Sequence, residues 1–380
     1  MDQRRITMND IVIGEPIPWD VYDQNNRLLL RRGHVVTREH QIESLLARGM
    51  FVEAKLAAGG RRAESAAQRQ EEQPSVVRLV NLANKRLERL LYGLHAEADF
   101  EKKIFDVVKV IGFAVDVNPD IALACILLNQ SGCTYSVRHC VDTAIVSLIV
   151  ARAMKKTPSE IQAIMAAALT MNVGMLRNQE QFQQKSDALT SNDIETIRSH
   201  PEQSVAMLRE AGVTHEEWLA YVLTHHENED GSGYPYGKRK LEIPENAKII
   251  AIADRYCARI SARNYRKPLL PNAALRDILL SEKDKIDPQL AASFIKELGV
   301  YPNGTYVRLE NGEIGIVTGK GKSTTAPIIH ALIGPRGAPL SFPIKRDTSK
   351  DLHAIRDVLH PDQAAIRFSM QQLWGMEAAG

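Results

Sequence analysis

The segment HHENEDGSGYP, residues 225–235, joins two adjacent imidazoles to carboxylates and a glycine-rich turn. Each part alone has an ordinary explanation, because glycine permits positive φ, proline rigidifies a turn, and a histidine pair arises easily by chance. The combination favours a functional site, since imidazoles and carboxylates are the side chains that hold first-row divalent metal ions.

Three residues elsewhere extend this pattern. His139 and His200 lie in separate helical stretches, and Asp254 lies in the apolar run KIIAIADRYCA, where an unpaired carboxylate is costly. A lone helical histidine is usually hydrogen-bonded or exposed, and Asp254 has Arg255 or Arg259 as alternative partners. Imidazoles and carboxylates on several helices of a bundle can nevertheless converge on one metal site, and we expect them to do so here.

The composition is typical of a water-soluble globular protein. Of 380 residues, 44% are hydrophobic and 25% are charged, and the formal net charge is +2. A charge so close to zero favours neither nucleic acid nor an anionic membrane as partner. No apolar run reaches the ~20 residues of a membrane span, the first residues lack an apolar leader, and the four cysteines form no CxxC pair. We therefore expect a cytoplasmic protein without a membrane span.

Hydrophobic periodicity predicts a mainly α protein. Apolar residues recur at helical spacing from residue 76 to about 300, which indicates one helical bundle domain. The flanking segments have the alternation and turns of short strands. The predicted organisation is a small α+β module (1–58, with a helix from Thr37 to Gly49), a polar linker (59–75), the helical domain (76–300), a small β appendage (301–350) and a helical tail (351–380).

The segment of residues 225–235 resembles the pattern HHExxDGxGYP of the HD-GYP cyclic di-GMP phosphodiesterases at every specified position. The resemblance extends over residues 130–320, because SVRHC, LTSNDIETIRSHPEQSVAML and IPENAKIIAIADRYCARISARNYRK are similar to the family's other ligand segments. It implies an HD-type helical bundle and a role in bacterial cyclic di-GMP signalling.

The same resemblance assigns roles to individual residues. It implies that one metal ion is held by His200, His225 and His226, and that a second ion is left with His139 and Asp254. It also implies that Arg263 and Arg266 face the nucleotide phosphates. The signature loop, which would control access or contact a partner, contributes Glu227, Asp230, Gly231, Gly233, Tyr234 and Pro235.

The family's defining His-Asp pair is missing from this chain. In AALTMNVGMLRN, Met171 replaces the histidine, Asn172 the aspartate and Met175 a lysine. Two divalent ions ~4 Å apart repel by roughly 16 kcal/mol at an effective dielectric of ~20, and a bridging carboxylate normally offsets this repulsion. A neutral amide does not carry the charge to do so. The sequence therefore predicts that the two-metal catalytic centre is lost.

Three functions remain compatible with the sequence. The chain is a non-catalytic or weakly catalytic signalling module that binds cyclic di-GMP, a protein partner such as a diguanylate cyclase, or both. Alternatively, it is a residual phosphodiesterase with one metal ion held by three histidines, or an adaptor in which the histidines are relics. The cofactor expected is one divalent ion (iron, manganese, zinc or nickel) or none, and the chain could form a homodimer.

Overall fold

The structure, a computed structural model, describes residues 3–5, 17, 19–24, 27–31, 33–34, 51–53, 74–129, 132–185, 187–261, 268–364 and 366–380. The chain divides into two compact units, residues 1–73 and residues 74–380.

The first unit contains a small antiparallel sheet. Its strands lie in the order β1-β4-β2-β3 and are β1 (Gln3–Arg5), β2 (Val21–Tyr22), β3 (Leu28–Leu30) and β4 (Phe51–Glu53). Asp23 closes the connection from β2 to β3, because its backbone N–H donates to Arg27 O at 2.8 Å and its carboxylate accepts from Arg27 N at 2.8 Å. The helix predicted from Thr37 to Gly49 and most of the predicted linker lie outside the described residues.

The second unit is mainly helical, as predicted. Its α-helices are α1 (Val76–Tyr92), α2 (Phe100–Val117), α3 (Pro119–Leu128), α4 (Tyr135–Ala153), α5 (Pro158–Thr170), α6 (Leu176–Gln184), α7 (Ser191–Glu210), α8 (Glu216–Thr224), α9 (Glu245–Ile260), α10 (Pro271–Arg276), α11 (Pro288–Leu298), α12 (Pro361–Ala364) and α13 (Met370–Trp374). Helix α6 was not predicted, because its sequence LRNQEQFQQ lacks an apolar repeat.

Side-chain caps fix where several of these helices begin. Thr157 and Glu160 form a capping box at the start of α5, and Thr190 and Asp193 form another at the start of α7. Asn118 accepts from the first free N–H groups of α3. These bonds satisfy backbone donors that have no partner within the helix, so the helix that carries His200 begins at a defined residue.

Helix α4 lies at the centre of the helical core. Most of its length is buried, and it packs against α5 and α9. Trp218 on α8 is fully buried, and its indole N–H donates to Thr170 Oγ1 at 2.8 Å, so α8 is fixed against α5. No single helix in the described ranges has the length and hydropathy of a membrane span; only α2 and α3 together, bent by 110°, reach both.

A five-stranded antiparallel sheet follows the helical domain. Its strands lie in the order β8-β7-β6-β5-β9 and are β5 (Tyr306–Leu309), β6 (Ile314–Ser323), β7 (Ala326–Ile333), β8 (Pro339–Asp347) and β9 (Ile355–Leu359). The β appendage was placed at 301–350 and a helical tail at 351–380, so β9 corrects that boundary. This strand was missed because it is only five residues long and pairs with the distant β5, a pairing that local periodicity does not reveal.

Candidate functional site

Three histidines meet beside a cavity that one of them, His226, lines. His200 lies in the middle of α7, and His225 and His226 directly follow α8. One ligand nitrogen from each of the three lies within 4.8 Å of the other two. His200 and His225 are fully buried. Within the described residues, this is the one group of three or more histidine, cysteine or acidic side chains close enough to share a metal ion.

Backbone carbonyls fix the orientation of two of these rings. Nδ1–H of His200 donates to Ile197 O at 2.5 Å, and Nδ1–H of His225 donates to Val222 O at 2.7 Å. Each Nε2 therefore carries a free lone pair, and the two Nε2 atoms face each other at 3.4 Å. Two nitrogens bound at 2.0–2.1 Å to a tetrahedral ion lie about 3.3–3.4 Å apart. Ring orientation by carbonyls is also the usual arrangement behind metal-ligating histidines.

Burial keeps all three imidazoles in the neutral form that binds metal. It lowers the pKa of His200 to about 3, with a smaller contribution from the neighbouring His225. Burial also lowers the pKa of His225 and lowers that of His226 well below its ordinary value. The cluster consequently offers ligands rather than cations at neutral pH.

The metal-free chain should lose stability as the pH falls from 6.5 to 5. The unfolded chain takes up a proton at each of the three imidazoles near its ordinary pKa of 6.5, whereas burial moves these protonations to lower pH in the folded chain. Buried Asp142, whose pKa is raised to about 8 by burial, holds one proton in the folded state and opposes the effect. The net difference lowers the unfolding free energy as the pH falls, because each proton bound only by the unfolded chain contributes up to about 1.4 kcal/mol per pH unit. Urea unfolding at pH 7, 6 and 5 measures it, and an unfolding free energy independent of pH would contradict the assigned protonation.

His139 and Asp254 form a separate pair. His139 Nε2–H donates to Asp254 Oδ1 at 2.7 Å, and both side chains are buried, on α4 and α9 respectively. Burial opposes ionisation of Asp254, but the hydrogen bond and charge of His139 lower the pKa of that carboxyl below its ordinary value. The alternative pairing of Asp254 with an arginine is wrong, because Arg255 bonds to Asn228 and Arg259 to Asp277 and Glu282.

The replaced His-Asp segment lies against the helix of His200. Ser204 on α7 donates to Met171 O at 2.8 Å and accepts from Gly174 N at 2.9 Å. A Cβ on Gly174 would lie 2.7 Å from His200 O, which explains why a glycine is needed there. Met171 is fully buried in the hydrophobic core, whereas Asn172 and Met175 line the cavity.

The cavity has a volume of about 200 Å³ and joins the two clusters. Its lining residues come from α4, the segment after α5, α6, the connection from α6 to α7, α7, α9 and the signature loop. They are Tyr135, His139, Asn172, Met175, Gln179, Phe182, Leu189, Ile197, His226, Tyr234, Asp254 and Ala258. The lining is mainly apolar with a few polar groups, as in small-molecule sites.

The side chains present fit one metal ion and not two. Three converging imidazoles supply the donor set of a mononuclear site. On the other side, His139 and Asp254 bond to each other, and the buried Asn172 Oδ1 has no hydrogen-bond partner among the described residues. The neutral amide of Asn172 has no negative charge that would offset the repulsion between two metal cations.

The signature loop is built around Glu227. This buried carboxylate accepts from Tyr236 N at 2.8 Å and from Lys238 N at 2.9 Å, so it holds its own loop rather than facing a partner. Tyr234 stacks on His226, with ring centroids 4.6 Å apart. Asp230 caps the turn through bonds from the backbone and hydroxyl of Ser232. Gly231 has a φ of +79°, which favours glycine, and Pro235 follows Tyr234 in the same turn.

Replacement of Gly233 by alanine should displace this loop. A Cβ there would lie 2.5 Å from Asn228 N, Glu227 Cα and His226 O. Such overpacking costs about 1–3 kcal/mol, and it should also weaken metal binding because His226 moves. Thermal unfolding and metal content measure both effects. Gly112→Ala is the matched control, since nothing lies within 4 Å of its Cβ; equal behaviour of the two variants would contradict the packing described.

Sequence reasoning missed one residue of this region, gave another a different partner, and placed two others where the structure does not describe them. Gln179 lies on the unpredicted helix α6, and Arg255, considered as a partner of Asp254, is half-buried and bonds to Asn228 of the signature loop. No sequence motif pointed to Gln179. Arg263 and Arg266, the predicted phosphate contacts, lie outside the described residues.

The region that holds these side chains is similar to a known protein family. The family profile of the HD domain matches residues 122–290, which include all five candidate ligands. This segment of the chain is therefore similar to HD domains. It is 28% identical over 232 residues to a cyclic di-GMP phosphodiesterase of Pseudomonas aeruginosa, covering 61% of this chain and 56% of the relative. It is 27% identical over 180 residues to one of Borreliella burgdorferi, covering 47% of each. The chain thus spans about half the length of the curated relatives it matches.

A solved structure supports the same fold. An HDG"Y"P protein from Bdellovibrio bacteriovorus is similar over 77% of this chain and 98% of its own, with a TM-score of 0.50 at 16% identity. The predicted mainly α fold and the resemblance to HD-GYP proteins are therefore confirmed.

Proposed function

We propose that this HD-domain protein acts in cyclic di-GMP signalling by binding one divalent metal ion and the cyclic dinucleotide, with hydrolysis weak or absent. The observation that carries the proposal is the asymmetry of the cavity. Three imidazoles converge beside the cavity, which His226 lines, and Asn172 lines it where the resemblance places the bridging carboxylate. We propose a cyclic dinucleotide as the ligand because the relatives are named cyclic di-GMP phosphodiesterases.

The three-histidine cluster would hold the ion. An all-nitrogen donor set suits a borderline first-row ion, and we propose zinc, iron, manganese or nickel in that role. Such an ion, when bound, polarises a phosphate oxygen or lowers the pKa of a water molecule. The chain's own residues orient two of the ligand rings through Ile197 O and Val222 O, and Tyr234 stacks on the third.

Nucleotide binding would persist without catalysis because it requires fewer side chains than hydrolysis does. Arg263 and Arg266 follow α9 in sequence, and we propose that they hold the phosphates, since guanidinium groups bind phosphate oxygens in bidentate fashion. We further propose that the exposed side of the signature loop contacts a protein partner such as a diguanylate cyclase. A cytoplasmic location and a homodimer are part of the same proposal.

Titration calorimetry combined with product analysis tests this function. The full chain should bind cyclic di-GMP with a dissociation constant in the micromolar range or below, and chromatography after prolonged incubation should recover it largely intact. Arg263→Ala should weaken binding. Absence of heat at tens of micromolar nucleotide, with identical behaviour of the variant, would refute binding.

Multiple turnovers with one ion per chain would favour the second candidate, a one-metal phosphodiesterase. That candidate is supported by the 3.4 Å separation of the two Nε2 atoms, which suits an ion with an open position. The two functions differ in turnover and share the metal site.

A further inference from the structure

His226 is held differently from the other two histidines of the cluster. Carbonyl oxygens within α7 and α8 fix the rings of His200 and His225. The ring of His226 has aromatic contacts instead, to His200, His225 and Tyr234. Since His226 follows α8 and begins the signature loop, the position of its ring depends on how firmly that loop is anchored.

Asn228, just after this histidine in the chain, is the residue through which the loop is anchored. Its backbone oxygen accepts from Gly231 N at 2.9 Å, and its side-chain amide donates to Ser232 Oγ at 2.9 Å. Its Oδ1 accepts from the guanidinium of Arg255 on α9. The buried Asn228 side chain therefore closes the turn and joins it to the helical core.

A second link runs from α9 to the same loop. Lys248 Nζ lies 2.7 Å from Glu229 Oε1, and both side chains are largely buried. Arg255 is half-buried, and a charged group so placed is unfavourable without an acceptor. Arg255 and Lys248 therefore hold consecutive residues of the loop to one helix.

We propose that Arg255 is a positioning residue, which keeps His226 within the three-histidine cluster by holding Asn228. For the metal ion this inference rests on the proposed function; for the loop it rests on the hydrogen bonds alone. Groups behind the ligands that orient a metal site contribute about 10–100-fold to metal affinity. The bond of Arg255 has such a role, because it fixes the backbone that carries the ligand.

The charge of Arg255 has the opposite effect on metal binding. Burial is the main reason that the pKa values of His225 and His226 are lowered, and the nearby charge of Arg255 adds to it. The same charge repels a bound cation. Loss of the charge alone would therefore strengthen metal binding, whereas loss of the hydrogen bond would weaken it, so one substitution distinguishes the two roles.

Zinc titration of the full chain, in competition with a chromogenic chelator, tests the proposal. Arg255→Met and Asn228→Ala should each weaken zinc binding by at least about tenfold. The double variant should bind no more weakly than the weaker single variant, because both substitutions remove the same bond. With cobalt(II) in place of zinc, the visible absorption of Arg255→Met should differ from that of the wild type, since His226 leaves the ligand set.

Arg346→Met is the matched control. Arg346 is also half-buried, and its bonds go to Glu313 within the five-stranded sheet, away from the signature loop. This substitution removes a comparable ionic contact and should lower stability. Zinc affinity and the cobalt(II) spectrum should remain those of the wild type.

Hydrogen exchange of the metal-free chain provides a second readout. The amides of Gly231 and Tyr234 donate to Asn228 O and His226 O, at 2.9 and 3.2 Å. Both should exchange at least about tenfold faster in Arg255→Met, because local opening of the loop becomes easier. The control variant should leave them unchanged.

The outcomes separate this inference from the proposed function. A folded Arg255→Met variant that binds zinc as tightly as the wild type, or more tightly, overturns the inference and leaves the metal site intact. Additive effects in the double variant also overturn it. Absence of zinc binding by the wild-type chain refutes the metal site of the proposed function. Faster exchange in Arg255→Met would then still support the anchoring of the loop, and unchanged exchange would refute both.

Discussion

A chain carrying Met171→His and Asn172→Asp should bind a second metal ion and hydrolyse cyclic di-GMP at least about 10²-fold faster than the wild type. The aspartate brings a charge to the cavity position where Asn172 Oδ1 has no partner among the described residues. That charge offsets the repulsion between two divalent ions. The histidine adds a ligand, and His139 and Asp254 exchange their mutual bond for metal contacts.

Packing around position 171 determines how much stability the double substitution removes. Met171 is fully buried in the hydrophobic core, so a histidine there should lower the thermal stability of the metal-free variant, and added metal should recover it by mass action. Met171→Leu with Asn172→Ser is the matched control, because it changes the same positions without adding a ligand. A folded restored variant that still holds one ion and shows no hydrolysis would refute the assignment of these positions.

His225→Ala should reduce metal affinity by at least about 10²-fold, since changes even behind metal ligands cost 10–100-fold. Two of three ligands remain, and the fixed partner of His200 Nε2 at 3.4 Å is lost. Metal analysis after purification should fall from about one ion per chain to near zero. The stability gained on adding metal should disappear together with the metal.

A surface histidine provides the control for that experiment. His95 is exposed and distant in sequence from the cluster, so His95→Ala should retain the metal content of the wild type. Loss of metal in both variants would mean that binding is non-specific. Retention of metal in a folded His225→Ala variant would show that the ion is held elsewhere.

The sequence predicted most of the helical domain and the identity of the clustered histidines. Helical periodicity located α4, α7 and α9, and the signature segment fixed His225 and His226 in sequence. The structure adds how they are oriented: Nδ1 of His200 and Nδ1 of His225 each donate to a carbonyl one turn earlier.

Features that depend on distant contacts were not predictable in the same way. The bond between His139 and Asp254 joins positions 115 residues apart, and strand β9 pairs with a strand some fifty residues earlier. Gln179 was missed because its helix is polar and carries no motif. Glu227 was predicted as a signature residue for access or partner contact, and only the structure shows that it binds the backbone of its own loop.

Metal stoichiometry of the purified wild-type chain tests the account most directly. Elemental analysis after anaerobic purification, with iron, manganese, zinc and nickel each supplied in turn, should give about one ion per chain and never two. A content of two ions per chain would contradict the loss of the binuclear centre, and less than about 0.2 ion per chain with every metal would contradict the three-histidine site.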